Sequence, residues 1–216
     1  MAANDVFSIF QFSLLVSFAA VISPGPVTAA ILSEAPRKGW RSGPLIAFGH
    51  SVLELAILVL ISFGLSVVMR TTMVLVAISI GGSLLLFWIG SRYILTVWKK
   101  EVQLPQPGQT PAARSSQALV ALGMITTLAN PFWYVWWVTV AAGYLTQAKA
   151  ISAAAVAAFY LGHISADFAW DTALATATSS GRRWLSERAY QFLILITGGF
   201  MTYLGARYLA NALSMM

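Results

Sequence analysis

The chain has 216 residues, of which 58% are hydrophobic and only 9% charged. A soluble domain carries about 25% charged residues, so the sequence cannot cover a water-facing surface and reads as an all-α integral membrane protein. There is no cysteine, which excludes disulfides, cysteine-zinc sites and thiol redox chemistry, and the net charge of +6 sits in short clusters between apolar runs, as in cytoplasmic membrane loops, so nucleic acid is not an expected partner.

Six apolar runs, at 6–34, 42–69, 72–98, 117–147, 150–179 and 189–213, are each long enough to cross a bilayer, which takes about 20 residues. They do not alternate as barrel strands do, and helices satisfy their own backbone hydrogen bonds in lipid. Met1 to Gln11 holds no Lys or Arg, so the basic start of a cleaved signal peptide is missing and the first run is expected to be retained.

In chain order, the first helix is interrupted by Ser23-Pro24-Gly25-Pro26. The second contains Gly49-His50 and, four residues after the histidine, Glu54. The third carries Gly81-Gly82 and ends on Gly90-Ser91-Arg92-Tyr93. A polar stretch, 99–116, with Pro105, Pro107, Gly108 and Pro111, then reads as a cytoplasmic linker. The fourth helix is broken at Ala129-Asn130-Pro131 and continues as Phe132-Trp133-Tyr134-Val135-Trp136-Trp137. The fifth repeats the earlier motif as Gly162-His163 with Asp167 and, one turn on, Asp171. The sixth carries Gly198-Gly199 and then Gly205-Ala206-Arg207-Tyr208.

The matched features recur in one order at nearly constant offsets: 105 from Pro26 to Pro131, 113 from His50 to His163 and 115 from Arg92 to Arg207. This points to a duplication, with repeats at 1–98 and 117–216. Three helices per repeat turn the second copy upside down, so six spans form two inverted three-helix repeats, with helices 1 and 4 broken at proline. Arg37, Lys38, Arg41, Lys99, Lys100, Arg114, Arg182, Arg183 and Arg188 fall on one side, against Arg70 and Lys149 on the other. The positive-inside rule places the first group in the cytoplasm and both termini outside, in a multi-pass protein of the cytoplasmic (inner) membrane.

Corresponding breaks in two halves mark a transporter binding site, which selects Pro24, Gly25, Pro26, Asn130 and Pro131. Residues i and i+4 share a helix face, so His50 points with Glu54 and His163 with Asp167, while Asp171 extends the second stripe. Glu54 lies about 20 Å from Arg41 by helix rise, near mid-membrane. Ionisable groups there mark ion or substrate paths, so the carboxylates could hold a substrate ammonium or carry a proton, with the histidines as relays or supports. Arg92 and Arg207 are expected to snorkel to headgroups, the glycine pairs to allow close packing, and the aromatic run to form an outer belt.

These residues resemble the lysine exporter (LysE/RhtB) family of amino-acid efflux transporters: Ser23-Pro24-Gly25-Pro26, the basic loop with Arg37-Lys38-Gly39 and Gly43, the glycine-rich start of helix 2 through Gly49, and Asn130-Pro131 in the second half. Many members follow Asn-Pro with a lysine; here Phe132 follows. The resemblance implies a six-helix exporter of amino acids or small relatives driven by the proton-motive force. The expected function is therefore secondary active, proton-coupled export of amino acids or related small amines by alternating access. The expected partners are the small-molecule substrate, protons, the lipid bilayer and, as one option, a second copy of the chain; no cofactor is called for. The alternative is a divalent-metal exporter, should His50, Glu54, His163 and Asp167 meet. An intramembrane enzyme is disfavoured, because H-x-x-x-E lacks the second histidine of the metalloprotease motif.

Overall fold

The computed structural model describes residues 6–64, 71–101, 114–180 and 186–216. The linker residues Pro105, Pro107, Gly108 and Pro111, and the basic residues Arg70, Arg182 and Arg183, lie outside them. The described chain is helical: α1 (Val6–Val21), α2 (Pro26–Lys38), α3 (Ser42–Ser62), α4 (Thr72–Trp98), α5 (Ser116–Leu128), α6 (Pro131–Trp136), a π-helical turn (Trp137–Ala141), α7 (Ala142–Ile151), α8 (Ala153–Ser180) and α9 (Glu187–Ser214).

Both proline breaks are where the sequence puts them, and both act by starting a new helix. Proline fits a first helical position because its missing N–H would have no partner there. Pro26 opens α2 after Gly25, whose backbone is extended, and the chain bends by 78° between α1 and α2. Pro131 opens α6, and the side chain of Asn130 accepts the Phe132 N–H at 3.1 Å; here the bend is 66°.

The helices α3, α4 and α9 are long and apolar enough to span a membrane singly, and the two bent pairs, α1 with α2 and α5 with α6–α7, each pass as a unit. That gives three spans, or up to five if each bent pair is one. The helix of the fifth apolar run, α8, is 28 residues long but falls outside this group. It carries His163, Asp167 and Asp171 on a buried side, packs against α1, α2 and α3, and so needs less lipid-facing surface than its neighbours.

The packing is reciprocal between halves. The helix α1 lies along α8, as α5 lies along α3, while α4 packs on α9 and α3 on α8. Glycine sets two of these approaches. A Cβ on Gly49 would run into the Val120 carbonyl of α5, and one on Gly162 into the Phe10 carbonyl of α1. Backbones this close leave no room for a side chain. The glycine pairs divide: a Cβ on Gly82 would strike Pro131 and one on Gly198 would strike Gly90, while Gly81 and Gly199 face open space. Arg92 and Arg207 are exposed, as headgroup-seeking arginines would be.

The aromatic run corrects an expectation. Instead of an outer belt, Trp133, Trp136 and Trp137 are buried in a core cluster with Ile57, Leu58, Leu145 and Phe159. The helix-4 break turns this segment inward, and the π turn that begins at Trp137 shifts its register; such turns gather at functional sites.

Candidate functional site

The helices α3 and α8 cross with their polar faces together, and the two halves of the chain meet there. Glu54 is 1% exposed, and its Oε1 lies 2.6 Å from His163 Nε2 and 3.0 Å from His50 Nε2. Asp167 approaches the same two nitrogens only at 3.8 Å. Donor atoms of His50, Glu54 and Asp167 all fall within 4.8 Å of one another, so the two carboxylates share one site rather than guarding two.

Each histidine is held from behind by a hydroxyl of the other half's first segment. His50 Nδ1 meets Thr127 Oγ1 of α5 at 2.6 Å, and His163 Nδ1 meets Ser17 Oγ of α1 at 2.5 Å. Their backbone supports correspond too: Ser13 Oγ donates to the Phe159 carbonyl at 2.6 Å, and at the matching place Gly123 lies directly against the Ile46 carbonyl. Trp136 stacks on the His163 ring, centroids 4.4 Å apart at 16°.

Beside this cluster is a cavity of about 80 Å³, several times the 10–15 Å³ that one water needs. Pro24, Gly25, His50, Glu54, Asn130, His163, Asp167 and Asp171 all line it. Pro26 and Pro131 are buried and do not line it; they turn the chain so that the residues before them can. Among the described residues Glu54 Oε2, Asp167 Oδ2, Asp171 Oδ2 and Trp133 Nε1 are buried without a hydrogen-bond partner. Buried carboxylate oxygens without partners are expensive, and at the wall of a cavity they mark where a cationic group or water fits. Asp171, which extends the stripe of Asp167, is 2% exposed and belongs to the site.

The four residues of the metal alternative do meet, but their geometry suits hydrogen bonding better. The histidine Nδ1 atoms are held by hydroxyls, and His163 Nε2 sits on Glu54 Oε1 at the length of a charge-assisted hydrogen bond.

Sequence reasoning missed Ser17, Thr127 and Glu34, and it assigned Trp133 and Trp136 to the belt rather than to the cavity wall they line. Ser17 and Thr127 stand 110 apart, between the proline and histidine offsets, and that signal could have paired them. Glu34 is 1% exposed on α2; its Oε1 takes Arg114 Nε, just before α5, at 3.3 Å and Arg37 at 3.8 Å. It joins the two halves at the end expected to be cytoplasmic. Its sequence signal was an acid three residues before an arginine on a helix that begins at the break.

The sequence model described as LysE type translocator matches residues 18–212, which take in every residue lining the cavity except Ser17. No curated protein and no solved structure matches the chain.

Proposed function

The chain belongs to the LysE type translocator family, and on that premise we propose that it is a secondary active exporter of amino acids or related small amines, driven by proton entry. One observation carries this reading: the chain break before α2 and the unpartnered oxygens of Asp167 and Asp171 open on one cavity between the halves. A helix N-terminus presents unpaired N–H groups and partial positive charge, which suits a substrate carboxylate at the start of α2. Asp167 and Asp171 suit the ammonium. Glu54, bonded to both histidines, suits the proton.

Alternating access then means rocking of one repeat against the other about the α3–α8 crossing, with six spans in inverted repeats, both termini outside and the cytoplasmic membrane as the site of action. The reciprocal packing of α1 on α8 and α5 on α3 supports that arrangement.

The test is flux in proteoliposomes. A pH gradient should drive amino-acid movement, and Glu54→Gln should abolish it in a protein that still folds. Undiminished flux in that variant removes Glu54 from coupling. Movement of a divalent cation in place of an amino acid would favour the metal reading, to which the 4.8 Å grouping of His50, Glu54 and Asp167 lends its only support.

A further inference from the structure

We propose that the two histidines, alike in sequence, hold different tautomers, and that the Thr127 hydroxyl makes His50 the one that shares a removable proton with Glu54. The functional consequence rests on the export reading above; the tautomers themselves do not.

A hydroxyl has one proton to donate. Thr127 Oγ1 gives its proton to the Gly123 carbonyl at 2.7 Å, one turn back on α5. Toward His50 Nδ1, at 2.6 Å, it can therefore only accept, and His50 carries a proton on Nδ1. Ser17 makes no bond back to its own helix; among the described residues its hydroxyl has His163 Nδ1 as its partner. With no other acceptor among the described residues, it gives its proton to that nitrogen. His163 is then bare at Nδ1 and donates from Nε2 to Glu54 Oε1.

The difference falls on Glu54. With Nδ1 protonated, a neutral His50 would aim the lone pair of Nε2 at Glu54 Oε1, 3.0 Å away. Two lone pairs facing each other in a site shielded from water repel strongly. A proton between them, on either atom, relieves the repulsion, and because its site opens on the cavity it is the one the cluster can give up. Its loss to the cavity leaves His50 neutral with Nδ1 protonated, Glu54 anionic and the cluster one charge lower. His163 keeps its own hydrogen bond to Glu54 throughout. The other groups facing His50 and Glu54 are Asp167, Asp171 and the Tyr160 hydroxyl on α8, the last donating to the Ser51 carbonyl at 2.8 Å; α5 contributes the Thr127 hydroxyl to His50, while the Ser17 hydroxyl of α1 and the Trp136 ring of α6 lie against His163. Thr127 is thus a positioning residue: it fixes which nitrogen of His50 meets the carboxylate.

The test uses the full chain in lipid nanodiscs with 15N-labelled histidine, whose four ring nitrogens report their protons directly; His50→Gln and His163→Gln assign them. The expected result is a protonated Nδ1 on His50 at every pH, with Nε2 changing from protonated to bare, and a bare Nδ1 on His163. Thr127→Val should move the His50 proton to Nε2 and abolish the pH-dependent change, in the spectra and in flux. Thr127→Ser should restore both, and Ser17→Ala should leave the His50 signals as they are. A bare Nδ1 on wild-type His50, or the same pattern on both histidines, would overturn the proposal. The wild-type and Thr127→Ser spectra decide the matter even if Thr127→Val fails to fold. Because the spectra need no transport, absence of amino-acid flux would count against the export reading alone.

Discussion

The histidine-carboxylate pair of α3 and that of α8 have the same spacing, the same glycine before the histidine and the same kind of hydroxyl behind it, yet their acids are placed differently. Glu54 is enclosed, its Oε1 bonded to both histidines. Asp167 stands back at 3.8 Å from each, with one oxygen unpartnered at the cavity and Asp171 beside it. One carboxylate is tied to both histidines, and the other keeps an oxygen without a hydrogen-bond partner at the cavity wall.

The comparison breaks most directly at Glu54. We expect Glu54→Gln to abolish gradient-driven flux and to destabilise the protein by about 3 kcal/mol, because removing one partner strands buried charge on the other. Flux assays and unfolding in detergent measure the two effects; intact flux in a folded variant ends the division of labour drawn here. Asp167→Asn should act differently. It should raise KM about tenfold to a hundredfold, as for loss of a contact to a charged group worth about 1.5–3 kcal/mol, while leaving the shape of the pH profile alone. A changed pH profile with unchanged KM would reverse the two roles.

The frame itself can be tested on the glycines. Gly49→Ala and Gly162→Ala should cost similar amounts, about 1–3 kcal/mol each, since each methyl meets a carbonyl at the matching helix contact. Clearly unequal costs would mean that the two contacts are not equivalent. Ser13→Ala should cost about 1 kcal/mol, the value of one buried hydrogen bond, and have no counterpart at Gly123, where no hydroxyl exists. An effect as small is expected at the other end of the bundle. Arg114 is half exposed but Glu34 is buried, with Arg37 left beside it at 3.8 Å, so Arg114→Gln should cost about 1 kcal/mol. If the Glu34–Arg114 pair holds the halves together during the cycle, the variant still changes turnover, and an unaltered rate would reduce the pair to surface chemistry.

The two breaks were legible because proline acts locally: Pro26 and Pro131 cannot continue a helix, whatever surrounds them. The pairing of His50 with Glu54 was equally local, a matter of helical spacing. The aromatic run was misread for the opposite reason. Trp and Tyr suit both a headgroup belt and a core, and only the 66° bend before α6 turned Trp133, Trp136 and Trp137 inward.

Composition and the i, i+4 spacing by themselves determined a helical membrane chain with two histidine-carboxylate pairs, each on one helix face, because those properties are written along the backbone. What the folded arrangement decided was the partnership. Nothing in the spacing of His163 says that its ring faces Glu54 of the other half rather than Asp167 of its own, or that Ser17 and Thr127 stand behind the two rings. Those contacts join residues 77 to 146 positions apart, and they depend on how closely α1 meets α8 and α5 meets α3. That closeness is a property of packed surfaces, not of any one segment.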